Sequence, residues 1–310
     1  MAVLKEGLGA EPAVLFFKQN GEAIGGVVGF SKRILWVKQF YSSLPYGGVV
    51  GVAPPAQVVV RLLESSLRGR GFSRARFVDQ PNGGMVLEPP FEAIEGETHV
   101  LDFEGRTKEE VWAGFRRNIR RDVRKARRGG VEVMVGLSDR DCMDFYSLYL
   151  ESMERNRAIP KYSLNFVRAV HRHLCREGRG VLLLARRNTR PIAGILAVDS
   201  RSRRHYLMGG SATEGLAWCP NDLLLHTAIE QAIDRGLHSF DFLPSGPGDA
   251  KLQRFKAKWG ASPQSCPSFD LELRRGHMRV LDLVLRAAGT GPGRRMVKTL
   301  RAIQSGSARP

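Results

Sequence analysis

The chain of 310 residues has no apolar run that reaches the roughly 18 residues of a membrane span. Its opening stretch, "MAVLKEGLGAEPAV", lacks the apolar core and small-residue cleavage site of a secretory leader. Four cysteines, Cys142, Cys175, Cys219 and Cys266, stand far apart with no paired spacing, so neither a zinc site nor a disulfide framework is indicated and reduced thiols are expected. Histidines are equally scattered, and His171 and His173, two apart in a helical stretch, point to different faces. No metal site is expected. No Ser-His-Asp or Cys-His spacing can be picked out, so Ser65, Ser211 and Cys219 read as structural. Acid is scarce as well: 31 acidic residues against 48 basic ones leave a formal net charge of +17. That field favours polyanions such as RNA, anionic lipid or phosphorylated metabolites; DNA is not an expected partner. Otherwise, 43% hydrophobic and 25% charged residues are the composition of an ordinary folded protein, long enough for about two domains.

What is present begins with "RRNIRRDVRKARR", residues 116–128, where seven arginines and one lysine surround a single acid, Asp122. Apolar residues recur through it at Trp112, Phe115, Ile119, Val123 and Ala126, in steps of three and four, which predicts one helical stripe facing a core. Thr107 with Glu110 three residues on reads as a capping box, and Gly129-Gly130 as the stop. The opposite, basic face is either simply solvated or set toward phosphates or a membrane surface.

The chain also repeats itself. "GGVVGF", a basic turn, "ILWVKQFY", Pro55, a helix, Gly71 and "ARFVD" are followed in the second half by "GILAVD", a basic turn, "HYLMGG", Pro220, a helix, Gly236 and "SFDFL". The two helix-opening prolines and the two helix-closing glycines are each 165 residues apart. Two similar α/β (α+β) domains with mixed sheets are expected, because strand-turn-strand hairpins do not fit an all-parallel sheet. The expected boundaries are 1–136, 137–273 and a basic tail, 274–310, in which nine Lys or Arg face only Asp282. Met278, Leu281, Val284, Leu285 and Ala288 make one apolar face of that tail, and Pro292 opens a second short helix through Ile303. Such helices lie on anionic membranes or pack on a neighbouring domain.

A further segment, "SFDFLPSGPGDAKLQRFKAKWGA" at 239–261, takes a strand ending in Asp241 into a Pro/Gly loop and a short helix with Lys251, Lys256 and Lys258. Loops at strand ends are where α/β proteins hold ligands, and a lysine there can meet a phosphate or an oxyanion.

"RNIRRDVRKARRGGVEV" and "FDFLPSGPGDAKLQRFKAKWGA" resemble the two signatures of the FemAB-type (FemX-like) transferases of the GNAT superfamily; "PIAGILAVDS", "HYLMGGSA" and "PNDLLLHTAIEQAIDRG" follow between them in the family's order. The resemblance covers about 24–273 and implies tandem GNAT-like domains with splayed sheets, an acceptor side first and a donor channel second. It implies transfer of an acyl or aminoacyl group, from acyl-CoA or aminoacyl-tRNA as a donor substrate with no tightly bound cofactor, to an amine on a phosphorylated envelope or polysaccharide precursor. By motif position it makes Lys256 the stabiliser of the tetrahedral oxyanion or the donor phosphate, puts Asp241 and Tyr206 on strands lining the donor channel, and sets Arg155 on the acceptor's phosphates. Asp241 is a candidate base as well. Arg117 and Asn118 belong to the first signature as positioning residues, and Lys258 to the substrate-binding surface. The expected setting is the cytoplasm, at the inner face of the membrane through 274–310. Two departures stand out: "WCPND" replaces the usual pyrophosphate loop before Asn221, and position 243 is Leu where the family often has Gly. The rival reading is an inactive GNAT-like module that binds RNA or anionic membrane.

Overall fold

The computed structural model describes residues 1–244 and 250–288. The first half runs α1 (Ala2–Leu8), β1 (Glu11–Gln19), β2 (Glu22–Ile34), β3 (Val37–Tyr41), β4 (Val49–Gly51), α2 (Ala56–Gly69), β5 (Arg74–Val78), β6 (Glu92–Ile94) and β7 (Glu97–Asp102). Then come α3 (Lys108–Gly114), α4 (Arg117–Arg128), β8 (Glu132–Val135), α5 (Asp139–Arg155) and α6 (Leu164–Val170). The rest is β9 (Gly180–Arg187), β10 (Arg190–Asp199), β11 (Arg203–Ser211), α7 (Pro220–Asp234), β12 (Ser239–Asp241), α8 (Ala250–Ala257), β13 (Ser262–Ser265), β14 (Ser268–Glu272) and α9 (Arg275–Ala288). The loop glycines Gly246 and Gly248, Pro247, the Lys251, Val284, Leu285 and Ala288 side chains, and the second tail helix expected from Pro292 lie outside the described residues.

The chain divides into two compact units, each built on a mixed sheet. The larger holds Met1–Pro12, Asp79–Gly84 and Glu95–Pro267; the smaller holds Ala13–Val78, Met85–Ile94 and the residues from Ser268. In the smaller unit the strand order is β1-β2-β3-β5-β14-β6, with β4 on β2. In the larger it is β13-β7-β12-β11-β10-β9-β8. The repeat expected from sequence has a direct counterpart here. In each unit an antiparallel hairpin (β2·β3, β10·β11) is followed by a helix and a parallel strand (β5 on β3, β12 on β11). Both crossover helices end at glycines with left-handed backbone, Gly71 (φ 76°) and Gly236 (φ 69°), where a Cβ would be strained.

These units differ from the sequence boundaries at 136 and 273. Strand β7 and helices α3 and α4 belong to the larger unit, because the stripe Phe115, Ile119, Val123 and Ala126 shares one apolar core with Leu183, Ile195, Leu224 and Ile229. Strand β14 belongs to the smaller, where Phe269 and Leu271 pack with Phe40, Leu63 and Phe77. The tail likewise starts inside that unit. Met278 and Leu281 bury against Val37, so this part of the apolar face is already covered by protein, while Val280 and Leu283 are exposed.

The basic segment forms two helices rather than one. Thr107 and Glu110 make the expected capping box, but α3 ends at Phe115, which is extended (φ −68°, ψ 143°). Its ring is drawn edge-on against Trp259, with centroids 5.0 Å apart, and the Arg116 amide donates to the Lys258 carbonyl oxygen at 3.1 Å. Core anchoring of one aromatic residue therefore overrides helix continuity, and α4 restarts at Arg117 with its apolar stripe intact.

Candidate functional site

In the larger unit β11 and β12 run parallel and pair at only three positions, Arg203↔Ser239, Arg204↔Phe240 and His205↔Asp241. Beyond them β11 continues to Ser211 along β10, whereas β12 stops. The sheet therefore opens after His205, and the β11 edge from Tyr206 onward has no strand partner on that side among the described residues. Tyr206 is the first residue past the last pair. Burial pushes its hydroxyl up to about 12, so it remains a neutral donor or acceptor at working pH.

Asp241 stands at the point of divergence and is fully buried. Its Oδ1 accepts from the Thr98 hydroxyl at 2.7 Å and from the Leu243 amide at 2.9 Å; its Oδ2 lies 3.1 Å from His205 Nδ1. A carboxylate so enclosed is an organiser of the strand end. Leu243, the residue at which the sequence departs from glycine, has left-handed backbone (φ 60°). Lys256, 2% exposed on α8, donates from Nζ to the Leu243 carbonyl oxygen and so closes this turn. Its charge is felt nearby: burial holds the His99 imidazole below its usual value, Glu97 opposing and Lys256 adding to the depression.

The far end of the β11 edge is held by Arg155. Its Nη1 donates to the Ser211 carbonyl oxygen (2.8 Å) and to Thr213 Oγ1 (3.2 Å), and its Nη2 donates to Ser152 Oγ and Ser211 Oγ, both at 3.0 Å. Asn221 Nδ2, in the first turn of α7, reaches Ser211 Oγ at 3.4 Å. Arg155 thus commits its donors to fixing the end of β11.

A third group gathers where α4 and α7 begin. Arg117 is exposed and Asn118 half-buried in the first turn of α4, beside the Arg116–Lys258 main-chain bond. Asp122, Cys219 and Asp222 bring their ligand atoms within 4.8 Å of one another. Burial pushes the Asp222 carboxyl up to about 6, the charge of Asp122 adds to this, and Lys258 opposes it. The first turn of α7, where a helix ordinarily attracts an anion, therefore already faces two carboxylates. Burial also raises all four thiols, Cys142 and Cys266 to about 11 and Cys175 to about 12, which leaves them poor nucleophiles.

On α4 and its N-terminal flank the cations divide into two classes, and Arg121 joins the held class through its ion pair to Asp122 at 2.9 Å. Arg124 lies over the Trp112 ring (5.6 Å), and Arg127 reaches His226 Nδ1 at 3.5 Å and Glu230 at 3.7 Å. Arg116, Arg117, Arg120, Lys125 and Arg128 have no ion-pair partner among the described residues.

Of the residues expected from sequence, Asp241 and Lys256 both bond the Leu243 turn at the strand divergence, and Tyr206 is the next residue of β11 with its side chain on the opposite, core-facing side. Arg155 holds the other end of the same strand, and Lys258, Arg117 and Asn118 share the α4 corner. Sequence reasoning missed Thr98, His205 and Asp222, and named Ser211 as structural. His205 stands one position before Tyr206 on a strand, and strand alternation was the one signal pointing it to the opposite face.

Residues 113–257 match the family model of the acetyltransferase (GNAT) domain. Search of curated proteins gave no match. Among solved structures the chain is similar to FemX at 16% identity, with a TM-score of 0.70 over 90% of this chain and 92% of that one. It is also similar to L-PGS from Bacillus licheniformis at 12% identity (TM-score 0.57; 86% and 89% covered). A tandem GNAT protein from the clavulanic acid biosynthesis pathway matches at 10% identity (TM-score 0.55; 83% and 81% covered). These likenesses are of fold alone.

Proposed function

We propose, for a chain that carries a GNAT acyltransferase domain, transfer of an acyl or aminoacyl group to an amine of a phosphorylated cell-envelope or polysaccharide precursor, as in FemAB-type transferases. The observation that carries the reading is the opening between β11 and β12 with the buried ammonium of Lys256 at its edge. An extended acyl arm can lie along the unpaired β11 edge from Tyr206, hydrogen-bonded to main-chain groups as an added strand would be. Attack by the amine then needs orientation, loss of one proton and stabilisation of the oxyanion. Lys256 supplies positive charge in a low-dielectric setting, where such charge is worth most. Asp241, bonded to Thr98, His205 and the Leu243 amide, fits the role of holding the Leu243 turn better than that of base. Arg155 fits the role of fixing the end of β11 for the acceptor rather than gripping its phosphates.

The carboxylates of Asp122 and Asp222 at the start of α7 favour a donor without a pyrophosphate at that helix end. Together with the unpaired cations of α4, this favours aminoacyl-tRNA over acyl-CoA. Arg117, Asn118 and Lys258 lie at that corner and are proposed to position the polyanion. No helix among the described residues is long and apolar enough to cross a membrane; attachment at the cytoplasmic face through the basic residues of 274–310 belongs to the same proposal. The test is transfer to amine acceptors from charged tRNA and, separately, from acyl-CoA, read by product mass. Product from charged tRNA alone is expected. RNA or liposome binding without transfer from either donor would instead favour an inactive binding module.

A further inference from the structure

Three residues that no sequence spacing linked come together in the larger unit. His205 is 7% exposed, and its Nδ1 faces the fully buried Asp241 at 3.1 Å while its Nε2 lies 3.1 Å from Ser200 Oγ. Ser200, in the turn joining β10 to β11, is exposed. Asp241 is oriented by Thr98 and by the Leu243 amide. A carboxylate accepts only, so the proton between it and the imidazole sits on Nδ1, and Nε2 presents a lone pair toward the serine hydroxyl. By this geometry a serine nucleophile, a base and an orienting acid are recognised, whatever their order in the chain.

We propose that Ser200, His205 and Asp241 form a nucleophilic esterase site that takes acyl groups from activated esters or thioesters with anionic leaving groups. The hydroxyl attacks the acyl carbon, so that an Oγ–C bond forms while His205 Nε2 takes the hydroxyl proton. The ester C–O or thioester C–S bond breaks, and the leaving group departs with that proton. Water repeats the attack through His205, releasing the carboxylic acid and restoring the serine. The main-chain N–H groups of Arg201 and Ser202, the two residues that follow the nucleophile, donate to no acceptor among the described residues and are assigned to the oxyanion. Arg201 is exposed, and Arg203 donates from Nε to Ser239 Oγ (3.0 Å); neither has an acidic partner among the described residues, so the mouth is positive. The Ser200 hydroxyl also reaches the Arg203 carbonyl oxygen at 3.1 Å, an alternative resting position for its single proton.

The full-length protein is treated with a fluorophosphonate, and the modified serine is located by peptide mass. Expected is one adduct at Ser200, with Ser202 in the same turn unmodified, and p-nitrophenyl acetate hydrolysis that Ser200→Ala abolishes and Ser65→Ala, at an exposed position of the smaller unit, leaves intact. His205→Gln should slow the labelling about a hundredfold, the range lost with a general base. Equal labelling of Ser200 and Ser202 in the wild-type chain would overturn the proposal without need of any variant. A folded His205→Gln protein labelled at the wild-type rate would overturn it as well.

Discussion

The ammonium of Lys256 on α8 donates to the main-chain oxygen of Leu243, two residues beyond the last residue of β12. One buried cation thereby sets both the shape and the charge of the strand end at which the sheet opens. Lys256→Met keeps the aliphatic stem and removes that charge. Turnover in single-turnover acyl transfer should fall by about a hundredfold to a thousandfold, or about 3 to 4 kcal/mol of transition-state stabilisation. Lys258→Met, on a half-buried neighbour, is the matched control: as a donor-binding residue it should weaken donor affinity yet leave the single-turnover rate at saturating donor within about threefold. Equal rates for both variants would remove Lys256 from the mechanism.

Leu243 occupies left-handed backbone with an ordinary side chain. Replacement by glycine relieves about 1 kcal/mol of local strain and costs a similar amount in chain entropy, so thermal stability should hardly move. Leu243→Val places a β-branched side chain at positive φ and should cost about 1 to 2 kcal/mol. Equal melting temperatures for Val and Gly variants would contradict the left-handed turn.

The two classes of α4 cation should separate in experiment. Replacing Arg117, Arg120 and Arg128 with glutamine should flatten the salt dependence of RNA binding, by about 0.7 to 0.9 in log–log slope for each phosphate no longer neutralised, at unchanged melting temperature. Arg124→Gln with Arg127→Gln should instead lower the melting temperature, because these two hold Trp112, His226 and Glu230. A fall in stability with the first set would place those arginines in the core's support.

Asp222 makes stability depend on pH in a stated direction. Its folded pKa, about 6, lies above the ordinary aspartate value. Between pH 4 and 6 the folded state therefore holds more protons than the unfolded chain, and stability is lost as pH rises through that window. Asp222→Asn should remove this slope and raise stability at pH 7 by on the order of 2 kcal/mol. Parallel melting-temperature profiles for wild type and variant from pH 4 to 7 would show that the carboxyl is not desolvated.

The sequence by itself determined the local order of elements. Periods of three and four fixed which side of α4 is buried, the Thr107–Glu110 pair fixed where α3 begins, and the spacing of Pro55/Pro220 and Gly71/Gly236 revealed two copies of one α/β unit. Resemblance picked out Lys256 and Asp241, which share the Leu243 turn at the strand divergence, and Tyr206, which is the first residue of β11 past it. These signals were legible because each is carried by residues close together in the chain.

Only the tertiary structure decided how the two copies share strands. Strand β7 lies between β12 and β13 in the larger unit, and β14 lies between β5 and β6 in the smaller, so each sheet takes its last strands from both halves of the chain. Such pairings join residues more than a hundred positions apart, as in Asp270 on Arg76 or Asp241 on Val100, and an alternating pattern states which side a strand buries without naming its neighbour. The same holds for the polar groups of the site. Thr98, His205 and Asp241 converge only because β7, β11 and β12 are assembled side by side, and the break at Phe115 exists only because Trp259 is there to receive its ring. Hydrophobic period is a property of a segment; partnership between polar side chains is a property of the packed sheet.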